Sequence, residues 1–400
     1  MGRVEFAEGA LVRLRAPVRV NAEAGRDVLT DLDVVAVDID LRLRVSRSIL
    51  ECKSGQGQAG EPDRLLWLAG LRQYVEADRA VLVRQTVSRR GRDVAKRLGI
   101  QVFDVPTLEK REAAHAWLPP TFAHLSGSGC MNAESRTDIQ LRGLGNIPAD
   151  LVAFLRYEAL LAAPHRVLLT LTNLREALDT AGILPDPTGK IIAGHALVGL
   201  LVAAVTDAQA LDAMPPQRLQ QRLELALTVG NPEDTSILEV LAAADELLGH
   251  LVEQVHARYV ERGAIRLDVS VPNLRELIAD PPPWIPRYLD LLDALRANPA
   301  VARDLPQTAE LACFDALVGD TNYESRAFDH LFTAEHRQLL RLAVQMLRDV
   351  AGPLLVGRLN GLANINFDRV APALPERRGT APTHPSEPPE LAREPDDANN

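Results

Sequence analysis

The chain has 400 residues, which is too long for one ordinary domain, so we expect two domains with additional segments. With 46% hydrophobic and 24% charged residues it has the composition of a globular protein, and its three scattered cysteines exclude a disulfide framework or a zinc finger. A net charge of -10 argues against a general nucleic-acid coat protein.

The first hundred residues alternate between strand-like and helix-like patterns, which is typical of an α/β domain. We predict, in order, the end of a helix at 6–14, a short strand at 18–20, a strand at 31–37, a strand at 41–53, a helix from Pro62, a strand at 80–83, a helix from Ser88 to Leu98 and a strand at 100–103. The strands at 31–37 and 41–53 form a hairpin, and two successive strand–helix–strand units imply parallel strands. The sheet should therefore be mixed, with a Gly-rich loop at 54–60 after the hairpin.

Charged residues end the second hairpin strand. Glu51 and Lys53 share one face, because side chains alternate along a strand, and Cys52 points to the other. Asp33 on the neighbouring strand comes within reach of Glu51 if the register allows it. Two close carboxylates repel each other, and Mg²⁺ removes the conflict by taking one or two carboxylates together with water and substrate phosphate oxygens. The pattern favours phosphodiester hydrolysis, and the alternative is an edge strand whose polar face carries a Glu and a Lys.

The segments LTDLDVVAV (29–37) and SILECKSG (48–55), with the hairpin between them and the helix and strand that follow, resemble the PD-(D/E)XK nuclease superfamily. The likeness is nearest to its archaeal-restriction-type and CRISPR-associated branches, and it covers roughly residues 3–108. It implies a restriction-endonuclease-like fold, in which a mixed sheet is flanked by helices. Asp33, Glu51 and Lys53 match the acid and the Glu-x-Lys of the family pattern.

By this resemblance, Asp33 and Glu51 would ligate Mg²⁺, which Mn²⁺ can replace, and the backbone carbonyl of Cys52 would add a ligand. Lys53 would serve the attacking water. The products would carry 5′-phosphate and 3′-hydroxyl ends.

Many members of the family carry a further Glu on the preceding helix, and some use a Gln in the following helix. Glu8 is the candidate for the first role, with Glu5 next, and Gln73 is the candidate for the second.

Arg89, Arg90 and Arg92 open a predicted helix, where guanidinium groups and the helix N-terminus both favour phosphate. A solvated helix end explains them equally well. The region 1–120 holds 20 basic and 17 acidic residues, so it is the better candidate for contact with a polyanion.

Beyond the α/β domain at 1–118 we expect a linker at 119–148, an all-helical domain at 149–370 and a disordered, proline-rich tail at 371–400. The apolar window 191–205 is short for a membrane span and predicts a buried helix. Because no secretion signal is recognisable, we expect a cytoplasmic protein without membrane attachment.

Two functions are compatible with these patterns. The first is a metal-dependent nuclease, acting on DNA rather than RNA by family precedent, whose helical region binds a protein partner or a second copy. By fold-level analogy it would belong to a bacterial anti-phage module. The alternative is a catalytically inactive nuclease-fold scaffold whose helical region binds a protein partner.

Overall fold

A computed structural model describes residues 1–19, 28–53, 60–115, 118, 125, 128–229, 235–265, 281–319 and 326–368. The predicted Gly-rich loop lies almost wholly outside these residues, and the predicted tail lies entirely outside them.

The N-terminal region is a five-stranded mixed sheet with helices. Its elements are α1 (Gly2–Ala7), β1 (Leu11–Arg19), β2 (Val28–Ile39), β3 (Val45–Lys53), α2 (Glu61–Tyr74), β4 (Arg79–Arg84), α3 (Arg89–Leu98), β5 (Gln101–Asp104) and α4 (Val105–Ala113). The strands lie in sequence order, antiparallel from β1 to β3 and parallel from β3 to β5. The predicted mixed sheet is therefore confirmed.

The interior strands form where the sequence is apolar, because both of their faces are covered. In β2 the residues from Val34 to Val37 are buried, and in β4 so are those from Ala80 to Val83. Helix α3 begins at the predicted cap, where the Ser88 hydroxyl accepts a hydrogen bond from the Gly91 amide. It ends at Gly99, which has a left-handed conformation.

The first strand corrects the prediction of a helix at 6–14 followed by a short strand at 18–20. Residues 11–19 form one strand, β1, at the edge of the sheet. An edge strand tolerates Pro17, whose missing amide would break a ladder inside the sheet. Arg15 has a positive φ of 54°, so the strand is irregular there and its pattern of exposure does not alternate cleanly.

The rest of the described chain is helical. Its α-helices are α5 (Ser128–Gly143), α6 (Ala149–Ala153), α7 (Pro164–Ala181), α8 (Thr188–Ala210), α9 (Pro216–Val229), α10 (Thr235–Glu261), α11 (Ile285–Ala297), α12 (Pro299–Glu310), α13 (Ala334–Ala351) and α14 (Pro353–Val356). Two π-helical segments (Phe154–Glu158 and Leu311–Val318) and two 3₁₀ segments (Arg326–Leu331 and Gly357–Asn364) complete it. The helix at 128–143 stands where we predicted a linker, so that part of the prediction is wrong.

Helix α8 is the centre of the helical part, since α7, α11, α12 and α13 pack around it. It is the one helix among the described residues that is long and apolar enough to cross a membrane, and 89% of its most apolar window is buried within the protein. The predicted buried helix at 191–205 is thus confirmed, and burial of this kind is what the core helix of a soluble protein shows.

The sheet and the helices share one hydrophobic core. Phe6 of α1 makes an edge-to-face contact with Phe328, with ring centroids 5.7 Å apart. The Gln307 amide of α12 donates to the backbone oxygens of Phe6 and Ala10 at 2.8 and 3.0 Å. These contacts hold the helical part against α1 and the start of β1. The candidate site lies at the other end of the sheet, where β3 ends.

Candidate functional site

The parallel strands β3 and β4 end side by side, with Lys53 opposite Arg84. Helices α2 and α3 begin beyond these ends, at Glu61 and Arg89. In open α/β sheets, ligands bind outside the carboxyl ends of the parallel strands, near the helix N-termini. Asp33, Glu51 and Lys53 lie at this edge.

Glu51 is a buried carboxylate between two cations. It is 2% exposed, and its Oε1 atom lies 2.7 Å from Nζ of Lys53. The same oxygen accepts a hydrogen bond from the Arg64 guanidinium in the first turn of α2. Arg64 also stacks on the Trp67 ring, 3.9 Å from its centroid, which fixes the guanidinium over the strand. Burial of an ionised carboxylate is tolerated because both partners are in place.

Asp33 is brought to Glu51 by the register of the hairpin. The β2–β3 ladder runs from Ile39 opposite Val45 to Val34 opposite Leu50, so Asp33 and Glu51 each stand one residue beyond its last pair. The Oδ2 atom of Asp33 accepts a hydrogen bond from the Cys52 amide at 2.7 Å. The expected meeting of two acids from neighbouring strands is therefore compatible with the observed pairing.

Cys52, on the strand face opposite Glu51 and Lys53, is a free and exposed cysteine. The pKa of its thiol is raised by partial desolvation and further by the carboxylates of Asp33 and Glu51. A thiol in this environment is protonated at neutral pH, which disfavours it as a nucleophile.

The donor set fits a hard divalent cation that keeps part of its water. No group of three or more His, Cys, Asp and Glu side chains that could hold a metal ion occurs within the described ranges. Mg²⁺, however, is commonly held by one or two carboxylates with water and substrate phosphate making up the rest. Asp33, Glu51 and the Cys52 carbonyl are oxygen donors of that kind on two adjacent strands.

A second buried carboxylate lies at the same edge. Glu61, at the start of α2, is 2% exposed and accepts hydrogen bonds from the Ser88 hydroxyl and, at 3.4 Å, from the Ser88 amide. Arg84 lies 3.8 Å from it. A Cβ on Gly91 would come within 2.4 Å of this carboxylate, so only glycine leaves the space. The N-terminus of α3 is thus occupied by a side chain of the protein.

The arginines predicted to contact phosphate are exposed on α3, as a contact surface requires. Arg92 pairs with Asp104 at 3.2 Å. Arg89 and Arg90 form no ion pair with any residue of the described ranges. They directly follow Ser88 in the chain, so they lie within one helical turn of the Glu61–Ser88 contact. This is the end of the sheet at which β3 and β4 terminate, at Lys53 and Arg84.

Glu8 is not brought to this site, which corrects its expected position. It pairs with Arg111 and lies 3.4 Å from His115. It lines a cleft of about 230 Å³ with Asp38, five residues and roughly 16 Å along β2 from Asp33. Because α1 precedes the start of β1, which pairs with the far end of β2, its side chains lie at the opposite edge of the sheet.

Glu5, the next candidate, lies at that far edge too. It is 3% exposed and pairs with Arg79, the first residue of β4. Glu5 in α1 and Glu8 at its C-terminal end therefore form ion pairs away from Asp33 and Glu51.

Gln73 is also remote from the pair. It is exposed in the last turn of α2, nine residues and about 13 Å along the helix from Arg64. Since α2 runs back from the end of β3 towards the start of β4, its first turn faces Glu51 and its last turn does not.

Arg64 is the site residue that the sequence does not single out. Its signal is weak: a cation eleven residues after Lys53, in the first turn of a helix where acidic residues are preferred. Glu61 and Asp63 in the same turn show that preference. The basic residue Arg64 is stabilised in this turn by its ion pair with the buried Glu51 carboxylate.

No protein-family model matches the chain, and no solved structure matches it. A curated relative from Cupriavidus metallidurans, named "Nucleotide-binding protein", is 28% identical over 112 residues. The aligned stretch is 27% of this chain and 37% of the relative, so the chain spans little more than a third of that protein's length.

Proposed function

We propose that the chain is a divalent-metal-dependent nuclease that hydrolyses phosphodiester bonds, with Asp33, Glu51 and Lys53 as its catalytic residues. The observation that carries the proposal is the hydrogen bond from the Cys52 amide to Asp33 at 2.7 Å, beside a Glu51 carboxylate that lies 2.7 Å from the Lys53 amine. The order of elements from α1 to β4 agrees with the pattern of the PD-(D/E)XK superfamily and supports a restriction-endonuclease-like fold.

In this proposal Asp33 and Glu51, with the Cys52 carbonyl, would hold Mg²⁺ or Mn²⁺. The ion would supply charge neutralisation at the scissile phosphate and lower the pKa of an attacking water. Lys53 stands beside Glu51 with its side chain 45% exposed, so its amine can reach a water or a phosphate oxygen outside the buried carboxylate. It would position that water and stabilise negative charge on the phosphate.

The charges at the site favour joint binding of metal and phosphate. Asp33, Glu51, Lys53 and Arg64 sum to zero, so a divalent cation alone would leave two uncompensated positive charges beside a buried group. A backbone phosphate that arrives with the cation brings one negative charge and offsets one of these two positive charges. Arg64 would then exchange its bond to Glu51 for one to the substrate, since a guanidinium binds carboxylate and phosphate with the same fork of donors.

Substrate would approach along the edge that carries Arg84, Arg89 and Arg90. DNA is favoured over RNA by family precedent. With a net charge of only +3 on residues 1–120, the affinity for a phosphate backbone should be weak and sensitive to salt. The helical region or a partner would supply targeting, as in the bacterial anti-phage modules to which we assign the chain by analogy.

The decisive experiment compares cleavage of plasmid, single-stranded DNA and RNA with Mg²⁺, with Mn²⁺ and with chelator. We expect metal-dependent cutting that falls at least about 100-fold in Lys53→Ala and in Asp33→Asn. Matched controls are Lys96→Ala, an exposed lysine on α3, and Asp31→Asn, an exposed acid two residues from Asp33 on the same strand. Cutting that survives in both site variants would show that the activity belongs elsewhere.

A second candidate is phosphate recognition without hydrolysis, in an inactive scaffold. It is favoured by the name of the Cupriavidus relative and by the two cations that neutralise Glu51. Fluorescence anisotropy with labelled mononucleotides and oligonucleotides tests it. Binding that Lys53→Ala and Arg64→Ala weaken, with no cleavage on any substrate, would support this candidate over the nuclease.

A further inference from the structure

Helix α10 (Thr235–Glu261) carries an apolar face that no other described element covers. Five large apolar side chains on it are more than half exposed: Val240 (67%), Leu247 (65%), Leu251 (58%), Val255 (53%) and Tyr259 (61%). The helix is 27 residues long and has no extended packing with another described helix or strand. Soluble proteins rarely expose a contiguous apolar surface of this kind unless it binds something.

The five side chains lie along one stripe. Their spacings of seven, four, four and four residues keep them within about 120° around a helix with 100° per residue. Half-buried Leu248 and Val252 extend the stripe on one side. From Val240 to Tyr259 it is about 28 Å long at 1.5 Å per residue.

The opposite face of α10 excludes two classes of partner. It carries Glu246 and Glu253. An amphipathic helix that binds anionic lipid or nucleic acid carries Lys and Arg there instead. The stripe therefore fits a protein surface that is itself apolar.

The exposed area is enough for a helix pair. At roughly 100 Å² of exposed apolar surface per side chain, the five residues offer about 500 Å² on one copy. Two copies packed on this stripe would bury about 1,000 Å², the lower limit for a specific interface, before the flanking Leu248 and Val252 are included. A second copy also has the same length and the same apolar pattern as the helix that it would cover.

The distribution of charge selects an antiparallel pair. Arg258 and Arg262 lie on the face of the stripe near its C-terminal end, whereas the N-terminal half of the helix carries the acids Glu239, Asp245 and Glu246. Parallel packing would place Arg258 and Arg262 against their own copies. Antiparallel packing places Val240 opposite Tyr259 and brings the arginines towards the acids, with a two-fold axis near residues 249–250.

We propose that α10 is a homodimerisation helix, which pairs with α10 of a second copy in antiparallel orientation through the stripe from Val240 to Tyr259. The dimer would carry two copies of the Asp33–Glu51 site. The dimerisation proposal does not depend on the proposed nuclease activity, because association of the chain is measured without substrate.

Light scattering coupled to size exclusion tests the proposal on the full chain over a concentration series. We expect twice the monomer mass of 43.7 kDa. The double variant Leu247→Glu with Leu251→Glu should raise the dissociation constant on the order of 100-fold, since both residues lie at the centre of the stripe. Ile139→Glu with Ile183→Glu is the matched control, because these residues are 66% and 67% exposed and lie outside α10. It should remain dimeric.

Cysteine crosslinking tests the orientation in a Cys52→Ser background, since Cys130 and Cys313 are buried. The double variant Val240→Cys with Tyr259→Cys should form covalent dimers under mild oxidation, and Val240→Cys alone should not. A monomer at every concentration, a dimer that survives Leu247→Glu with Leu251→Glu, or crosslinking by Val240→Cys alone would each overturn the proposal. Circular dichroism confirms that the glutamate variants are folded, as substitution of exposed residues predicts.

Discussion

Arg13 of β1 donates a hydrogen bond to Glu310 of α12 at 2.7 Å, and the two side chains are 7% and 1% exposed. They are 297 positions apart in the chain. The pair joins the edge strand of the sheet to the helical region inside the shared core. Burial raises the pKa of the Glu310 carboxyl, and Arg13 opposes that rise.

This buried pair gives a prediction for stability. Glu310→Ala leaves the Arg13 guanidinium buried without its partner and should lower the free energy of unfolding by about 3–5 kcal/mol. Replacing both residues, with Arg13→Met and Glu310→Leu, removes the unpaired charge and should recover most of that loss. Urea denaturation measures both. Arg287→Ala is the control, since Arg287 pairs with Asp349 at 2.9 Å at the surface and should cost less than about 1 kcal/mol. Equal losses in the single and double variants would contradict the prediction.

A second prediction concerns the pH dependence of stability. Burial raises the pKa of Asp207 to about 7, although it accepts a hydrogen bond from the Tyr288 hydroxyl at 2.9 Å. In the unfolded chain an aspartate titrates near about 3.9. Between about pH 4 and pH 7 the folded state holds a proton that the unfolded state has lost, so the free energy of unfolding falls as the pH rises.

The expected slope is about 1.4 kcal/mol per pH unit within that window. Asp207→Asn removes this slope and keeps an oxygen that accepts from Tyr288, so the variant should be more stable than the parent at pH 8 and similar to it at pH 4. Denaturation curves at several pH values measure the difference. Asp212→Asn, whose side chain is 63% exposed and pairs with Arg296, should leave the slope unchanged. A slope of the parent type in Asp207→Asn would refute the assignment.

A third prediction follows from the neutral charge balance at Glu51. Arg64→Ala leaves Asp33, Glu51 and Lys53 with one net negative charge, so the chain should bind Mn²⁺ on the order of tenfold more tightly in the absence of substrate. Isothermal titration calorimetry measures the affinity. Arg72→Ala is the control on the same helix, because Arg72 donates to the Gly99 carbonyl away from the site. An unchanged affinity for Mn²⁺ in Arg64→Ala would argue that no cation binds at Glu51.

A fourth prediction concerns the exposed arginines of α3. If Arg89 and Arg90 each neutralise one backbone phosphate, Arg89→Ala with Arg90→Ala should weaken DNA binding and make the slope of log affinity against log salt shallower by about 2. Filter binding of the Lys53→Ala chain to duplex DNA measures this without cleavage. Arg97→Ala, in the last turn of the same helix, should leave the slope unchanged. A slope that stays the same in the double variant would place the DNA elsewhere.

Much of the sheet could be predicted from the sequence because its interior strands are apolar on both faces and its helices carry end signals. Helix α8 is equally clear from its composition. Strand β1 was not predictable in the same way, because Arg13, Arg15 and Pro17 interrupt its apolar pattern. Arg13 is buried by pairing with Glu310, which is 297 positions away and could not be foreseen from the local sequence. The helix at 128–143 has a polar sequence, which is typical of a linker, and it is held in place by packing against α8.

The candidate site could also be predicted only in part, since some of its residues follow from local sequence and others depend on tertiary packing. The alternation of a strand places Glu51 and Lys53 on one face without further information, and the hairpin brings Asp33 to the neighbouring Cys52 amide. Arg64 depends on how α2 docks on β3, which no local pattern encodes. The position of Glu8 was wrong because the irregular strand β1 carries α1 to the opposite edge of the sheet.

The contact between Glu61 and Ser88 limits which donors at the N-terminus of α3 are available to a phosphate. The Glu61 carboxylate already accepts from the amide and hydroxyl of Ser88, the N-cap of α3, and it would compete there with any phosphate. Under the proposed function, the exposed guanidinium groups of Arg89 and Arg90 would therefore contact the nucleic-acid backbone in place of fixed backbone amides. Such contacts would tolerate different backbone geometries and would leave substrate selectivity to other parts of the protein.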